Sequence, residues 1–315
     1  MPDNINDMTS PRSPIALPSL LQRRLESATK VFIRSDLGLD ADFTSPPGEP
    51  ALAAPDSVSW QIFKNPLTLF VGGVASVILE LAEPRVRAGV WEHTSFRQKP
   101  LQRLQRTGLA AMMTVYGPRS RAEAMIARVR RMHARVNGVT PGGTPYRADD
   151  PELLNWVHAT ASFGFIEAYS AYAHPLGYTE RDRYYAEGAT SSRLYGAVGA
   201  PVSQEELNAL FEAMRDVLEA SPVIFEFIDI MQTIRILPRP LRRIQAWLVK
   251  AGIGLLPAWI RQRLELGIEW DLHPWQLQLV RRGGMIADRI PLRATPAVQS
   301  CRRLGLPDDY LYTRR

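Results

Sequence analysis

From Asn65 to the end of the chain, apolar residues recur at steps of three and four, the spacing that puts them on one face of a helix. Asn65-Pro66 and Asp150-Pro151 each place a capping side chain directly before a proline, an arrangement that starts helices. Alternation with a period of two is scarce. Val223–Ile230 is the one stretch that reads as a strand, and it reads equally as a buried helix. The longest apolar run, Leu67–Leu79, is shorter than the roughly 20 residues of a spanning helix, which points to a helix buried in a core. Nearer the start, Leu17–Phe32 reads as an amphipathic helix with Leu20, Leu21, Leu25 and Val31 on its apolar side. Asp40–Asp56 is rich in proline, alanine and glycine and suits a linker or an irregular wrap. The pattern predicts an all-α protein of ten or more helices. Residues 1–56 form an extension, and 57–315 form a single large multi-helix domain.

Composition narrows the classes of function. The chain has 315 residues and a net charge of +6, and its only lysines are Lys30, Lys64, Lys99 and Lys250. The arginines are spread along helices among acidic residues, so a solvated basic surface is favoured over a nucleic-acid site. Cys301 is the only cysteine, which excludes an internal disulfide, a cysteine-based zinc site and a CxxCH haem attachment. No charged start followed by an apolar core marks a secretory signal, and a reducing, cytoplasmic setting is expected. HExxH, GxSxG, Walker A and paired CxxC patterns do not occur, and FVGGVAS does not spell GxGxxG. PGGTP, Pro141–Pro145, is read as a turn between helices.

Three consecutive helices carry the candidate chemistry. In the first, Arg103, Thr107, Ala110 and Thr114 share one side, and an arginine with a hydroxyl one turn later suits a carboxylate. A surface stripe paired with an acid accounts for the same residues. In the second, expected over Ser120–Val136, His133 lies in the apolar stripe Ala122, Ile126, Val129, Val136, opposite Arg121, Arg128, Arg131 and Arg135. A buried neutral imidazole there is a metal ligand or a core histidine bonded to a carbonyl. In the third, Leu154, His158, Ala161 and Phe165 share a face, so His158 also leans inward. His93 precedes the arginine helix and is within reach of the same pocket, whereas His174 and His273 each precede a proline and read as turn residues.

The run EPRVRAGVWEHTSFRQKPLQRLQRTGLAAMMTVYG, then RMHARVNGVTPGGTPYRADDPELLNWVHAT and RDRYYAE (Arg181–Glu187), resembles the latex-clearing-protein and MpaB-type oxygenase family, also called the rubber oxygenase catalytic domain. The resemblance runs from about Gly72 to Arg282 and is densest over Arg87–Tyr185. It implies an all-α fold enclosing a b-type haem between helices, and cleavage of carbon–carbon double bonds in isoprenoid chains with dioxygen. It puts the proximal haem ligand on His133 and sets Arg103 and Thr107 beside the haem. Where the rubber-cleaving branch has a lysine before that threonine, this chain has Arg106, a poor metal ligand. Where relatives carry a histidine-proline pair, this chain has Glu83-Pro84. By the same resemblance His158 is a pocket residue and Glu92 a candidate for proton transfer. With no CxxCH the haem would be held non-covalently.

The leading expectation is therefore a haem b-dependent oxygenase acting with dioxygen on a small apolar, alkene-containing substrate. A haem sensor or carrier without turnover is the second reading. The third is a cofactor-free helical protein at a lipid surface, for which Trp247–Ile260 offers Trp247 and Trp259 as interfacial anchors, although a core hairpin broken at Pro257 explains that segment as well. No nucleic-acid partner is expected, and peripheral membrane contact stays open.

Overall fold

The computed structural model describes residues 13–16, 18, 22, 23, 26, 42–93, 96–234 and 242–313. Thirteen α-helices occur among them: α1 (Val58–Phe63), α2 (Pro66–Ala82), α3 (Pro84–His93), α4 (Pro100–Tyr116), α5 (Arg119–His133), α6 (Pro151–Tyr172), α7 (Tyr178–Tyr195), α8 (Gln204–Ala213), α9 (Pro222–Thr233), α10 (Arg242–Gly254), α11 (Ala258–Arg263), α12 (Pro274–Ala287) and α13 (Pro296–Arg303). The protein is all-α. The helix expected over Leu17–Phe32 lies almost wholly outside the described residues.

The helix starts legible in the sequence are real. Asn65 accepts from Leu67 N and Thr68 N at 3.1 and 3.3 Å, and Asp150 accepts from Glu152 N at 2.8 Å. Each satisfies backbone donors that a first turn leaves open, ahead of a proline that has none to lose. Val223–Ile230, ambiguous by pattern, is helical within α9, where Ile224, Phe227, Ile228 and Met231 are buried at helical spacing. Two expectations change. Helix α5 ends at His133, three residues before Val136, and the stretch after it is a small hairpin rather than an interhelical turn. Its strands, β1 (Asn137–Val139) and β2 (Pro145–Arg147), pair antiparallel with Gly138 opposite Tyr146. Each is three residues long, too short for alternation to register.

Helices α2 and α6 pack against each other more extensively than any other pair and form the centre of the molecule. Val71, Val74, Ala75, Ile78, Leu79 and Leu81 are buried along α2. The two backbones meet at Gly72 and Gly164: a Cβ on Gly164 would lie 2.3 Å from the Gly72 carbonyl oxygen, and one on Gly72 2.6 Å from the Gly164 oxygen. Ser76 Oγ donates to Gly72 O at 2.8 Å and faces Thr160 O at 3.0 Å across the crossing. Of the two glycines in FVGGVAS, Gly72 thus serves helix packing, whereas a Cβ on Gly73 would meet open space.

After Ala82 the chain bends by 109° into α3. Glu83 makes the corner: fully buried, it accepts from Val86 N at 2.6 Å and from Arg85 Nε at 2.7 Å. Among the described residues no single helix is long and apolar enough to cross a membrane, and the α2–α3 pair passes that test only as a bent unit. Trp247–Ile260 falls on α10 and α11, with Leu248, Val249, Ala251, Ile253, Leu256 and Ile260 buried, as the core reading has it. Residues 42–56 carry no helix and lie against the body, where Phe43 is fully buried and Arg303 donates to the carbonyls of Phe43, Glu49 and Tyr116 at 2.7–2.8 Å.

Candidate functional site

Helix α4 presents the polar stripe that the sequence outlined. Arg103 is half-buried, and its guanidinium donates to Thr107 Oγ1, while Thr107 Oγ1 in turn donates to Arg103 O at 3.0 Å. Two turns further on, Thr114 Oγ1 lies 3.0 Å from Tyr195 Oη, at the end of α7. The stripe therefore faces inward between helices at its C-terminal end. At its other end Thr107 and Arg106 are exposed.

A carboxyl group that sequence reading missed sits opposite Arg103. Glu80 is the only charged residue of α2, and a lone charge in an otherwise apolar helix is the signal that could have found it. Burial pushes its carboxyl up to about 7, against the pull of Arg103. Arg103 is shifted down by burial, opposed by Glu80 and reinforced by Arg106. Among the described residues no hydrogen bond or ion pair joins Glu80 to Arg103, so the two act on each other through their charges alone, while Arg103 is hydrogen-bonded to Thr107.

His133, the last residue of α5, is half-buried, and its Nδ1 is a buried atom with no hydrogen-bond partner. Burial, then the positive charge of Arg103, lowers its pKa below the usual imidazole range, with Asp149 opposing. Arg103 and His133 thus share one neighbourhood. His158 sits on α6 with Leu154, Ala161 and Phe165, all half-buried, and burial pulls its pKa down to about 4. Its Nε2 lies against Gly188 of α7, where an added Cβ would come within 3.3 Å. Glycine at that position leaves room for the imidazole between the two helices.

Glu80, Arg103, His158 and Tyr195 have a property in common. Each keeps part of its surface accessible, yet loss of water is the leading cause of its shift. The four side chains come from α2, α4, α6 and α7, each partly accessible yet surrounded largely by protein. Glu92 and His93 belong elsewhere. Both are exposed at the end of α3, with Tyr146 Oη 3.0 Å from His93 Nε2 and donating to Glu92 Oε2 at 3.3 Å. Among the described residues no interaction links either of them to Arg103 or His133.

The RDRYYAE segment is structural. Glu187 accepts from Val58 N, Ser59 N and Ser59 Oγ at 2.9–3.1 Å, capping α1, and Arg181 grips Glu167 and Ser170 of α6. These contacts hold α7 against α1 and α6.

The segment bearing these residues matches a family described as ER-bound oxygenase mpaB/B'/Rubber oxygenase, catalytic domain, over residues 60–286. The chain belongs to this family. The match spans Glu80, Arg103, Thr107, His133 and His158, and it makes the chain an oxygenase-type oxidoreductase by family. No curated protein and no solved structure gives a match.

What the donor set would suit is a group that brings most of its own ligands. Among the described residues no group of three or more histidines, cysteines and carboxylates is placed to hold a bare metal ion. A porphyrin iron needs as little as one protein nitrogen, and a neutral imidazole with an unpartnered buried nitrogen is a suitable donor.

Proposed function

We propose that this protein is a haem b-dependent oxygenase that uses dioxygen on an apolar, alkene-containing substrate. The observation that carries the proposal is the buried, unpartnered Nδ1 of His133 beside the cationic pair Arg103 and Arg106, within an oxygenase domain. His133 would hold the iron, and the two guanidiniums would take the haem propionates. Arg103 and Arg106 lie close enough to depress one of them, and Glu80 is the only acid acting on Arg103. Two anionic arms answer two cations better than that single, half-protonated carboxyl.

The haem, when bound, supplies the redox-active iron that makes dioxygen reactive. The remaining work falls to the chain. Thr107 Oγ1 fixes the Arg103 guanidinium by accepting from it and tying it back to the helix. His158, neutral at all physiological pH, joins Leu154, Ala161 and Phe165 in a wall that carries no charge and suits an apolar substrate. Glu80, with its carboxyl near 7, can take up or release a proton at Oε within reach of the field of Arg103. Arg106 stands where a capping lysine is expected, and its guanidinium, a poor metal ligand, would not compete with dioxygen for the iron.

The test is an absorption spectrum of the purified protein after expression with added haem. A Soret band is expected, lost or strongly shifted in His133→Ala and kept in His158→Ala. Absence of the band, with no iron by elemental analysis, would overturn the proposal. A band that survives His133→Ala and disappears in His158→Ala would move the ligand to α6. Consumption of dioxygen with an alkene present separates an oxygenase from a haem carrier.

A further inference from the structure

Twelve large hydrophobic residues are exposed among the described residues, and four of them fall on the single helix α12: Trp275, Leu279, Met285 and Ile286. Scattered exposed hydrophobics need no explanation, but a contiguous set does. Trp275, Leu279, Arg282 and Ile286 follow one another at steps of four, three and four and so form one stripe. Trp275 is 55% exposed, Leu279 46% and Ile286 52%. The opposite face of α12 is occupied, since Val280 and Leu277 pack with Val71, Ala168, Tyr172 and Leu248. The outward stripe is therefore additional to what holds the helix in place.

Helix α10 continues the surface. Trp247 meets Trp275 edge-to-face, with ring centroids 5.1 Å apart. Ile268, 87% exposed, lies in the short turn of 3-10 helix (Ile268–Trp270) that packs on α10 and receives Lys250 Nζ on Glu269 O at 2.6 Å. Charge on the two helices has one sign. α10 contains Arg242, Arg243 and Lys250, α12 contains Arg281 and Arg282, and neither contains an acid. In sequence, Arg235 and Arg239 lie just ahead of α10. Acids at the margin are engaged: Asp271 pairs with Arg261 at 2.7 Å, Glu269 accepts from Gly267 N at 3.2 Å, and Asp288 is buried with Lys64.

We infer that the α10–α12 face docks on an anionic phospholipid bilayer, with Trp275, Leu279 and Ile286 entering the interface and the surrounding arginines meeting the headgroups. An apolar stripe edged by tryptophan on an acid-free basic helix pair has the composition of a surface-lying amphipathic element. Tryptophan favours the headgroup level, where one end of the ring is apolar and the other wet. Each arginine near an anionic surface contributes roughly a five-fold gain in binding. The inference stands independently of the haem reading, because the face lies on other helices and needs no cofactor.

The experiment is flotation of the full chain with vesicles of phosphatidylcholine alone or mixed with phosphatidylserine. Binding to the mixed vesicles is expected, weak or absent on phosphatidylcholine and reduced by salt. Arg281→Gln with Arg282→Gln should weaken it about twenty-five-fold. Trp275→Ser with Leu279→Ser should weaken it roughly tenfold or more, with circular dichroism unchanged and melting lowered only by the lost ring contact of Trp275 with Trp247. No flotation with either vesicle, or equal flotation of both double variants, would overturn the inference. So would a dimer in light scattering that Trp275→Ser with Leu279→Ser abolishes while vesicles stay unbound, since a second copy would then be the occupant.

Discussion

At the scale of single residues, the chemistry of the candidate site is set by groups whose largest pKa influence is loss of water. His158 and Glu80 show the consequence with opposite signs. The folded-state pKa of His158 is depressed from 6.5 to about 4, so its contribution is fully present above about 6.5 and is lost as pH falls towards 4, where the unfolded chain binds the proton more readily. That of Glu80 is raised from 4.5 to about 7, so its contribution is present below about 4.5 and is lost as pH rises through 7. Replacing His158 by leucine is expected to flatten the dependence of unfolding free energy on pH between 6.5 and 4. Glu80→Gln should raise stability at pH 8 relative to pH 5. Each effect is on the order of 1–3 kcal/mol, allowing for partial access of solvent, and urea titrations across pH 4–8 measure both. A His158→Leu variant as acid-sensitive as the parent would show that this imidazole is not the group that titrates.

Of these residues, Arg103, Thr107, His133 and His158 could be placed on helix faces from spacing alone, because position on a helix face follows from sequence. Glu80 was missed for the complementary reason. A lone acid near the end of an apolar helix looks like a terminus reaching solvent, and only the tertiary fold brings it into the field of Arg103. Glu92 lies on the exposed end of α3, where Tyr146 binds it, a placement that helical spacing does not give.

Among elements, the α2–α6 crossing decides where the site can be. With a glycine on each side, the two backbones approach closely enough for Ser76 to bridge them. A methyl on Gly164 would be driven into the Gly72 carbonyl oxygen at 2.3 Å and into Ser76 Oγ at the same distance. Backbone on the facing helix cannot swing aside as a flexible side chain can. Gly164→Ala is therefore expected to cost about 3 kcal/mol or more, from overpacking with forced displacement of a helix. Thermal unfolding measures the loss, and if haem binds as proposed its occupancy should fall too, because Glu80 and His158 ride on the two helices. A melting temperature within a degree or two of the parent would contradict the close crossing.

The molecule as a whole is closed by contacts between segments distant in sequence. Lys64 and Asp288 form a buried ion pair at 3.3 Å, and Lys64 Nζ also donates to Leu311 O at 2.8 Å. Tyr169 Oη donates to Asp288 Oδ2 at 3.3 Å, and Asn65 Nδ2 to its Oδ1 at 3.4 Å. The start of α2, the end of α12 and the C-terminal segment thus meet at one point. Removing one charge leaves the other buried without compensation, so Asp288→Ala is expected to cost about 3–5 kcal/mol. Lys64→Met with Asp288→Leu, which removes both charges, should recover much of that loss. Chemical denaturation of the three proteins checks this, and an equal loss in the double variant would show that shape rather than charge holds the junction.

The sequence by itself determined the helices, their starts at Asn65 and Asp150, the faces on which Arg103, Thr107, His133 and His158 lie, and the family through motifs that span them. These are local properties, fixed by capping chemistry and by a repeat of 3.6 residues. Only the tertiary structure decided that Glu80 belongs with Arg103, that Glu92 and His93 do not, that Glu187 caps α1 instead of serving the site, and that α12 shows its apolar stripe outward. Each of those depends on where a helix bends or which face a neighbour covers, and a periodicity carries neither.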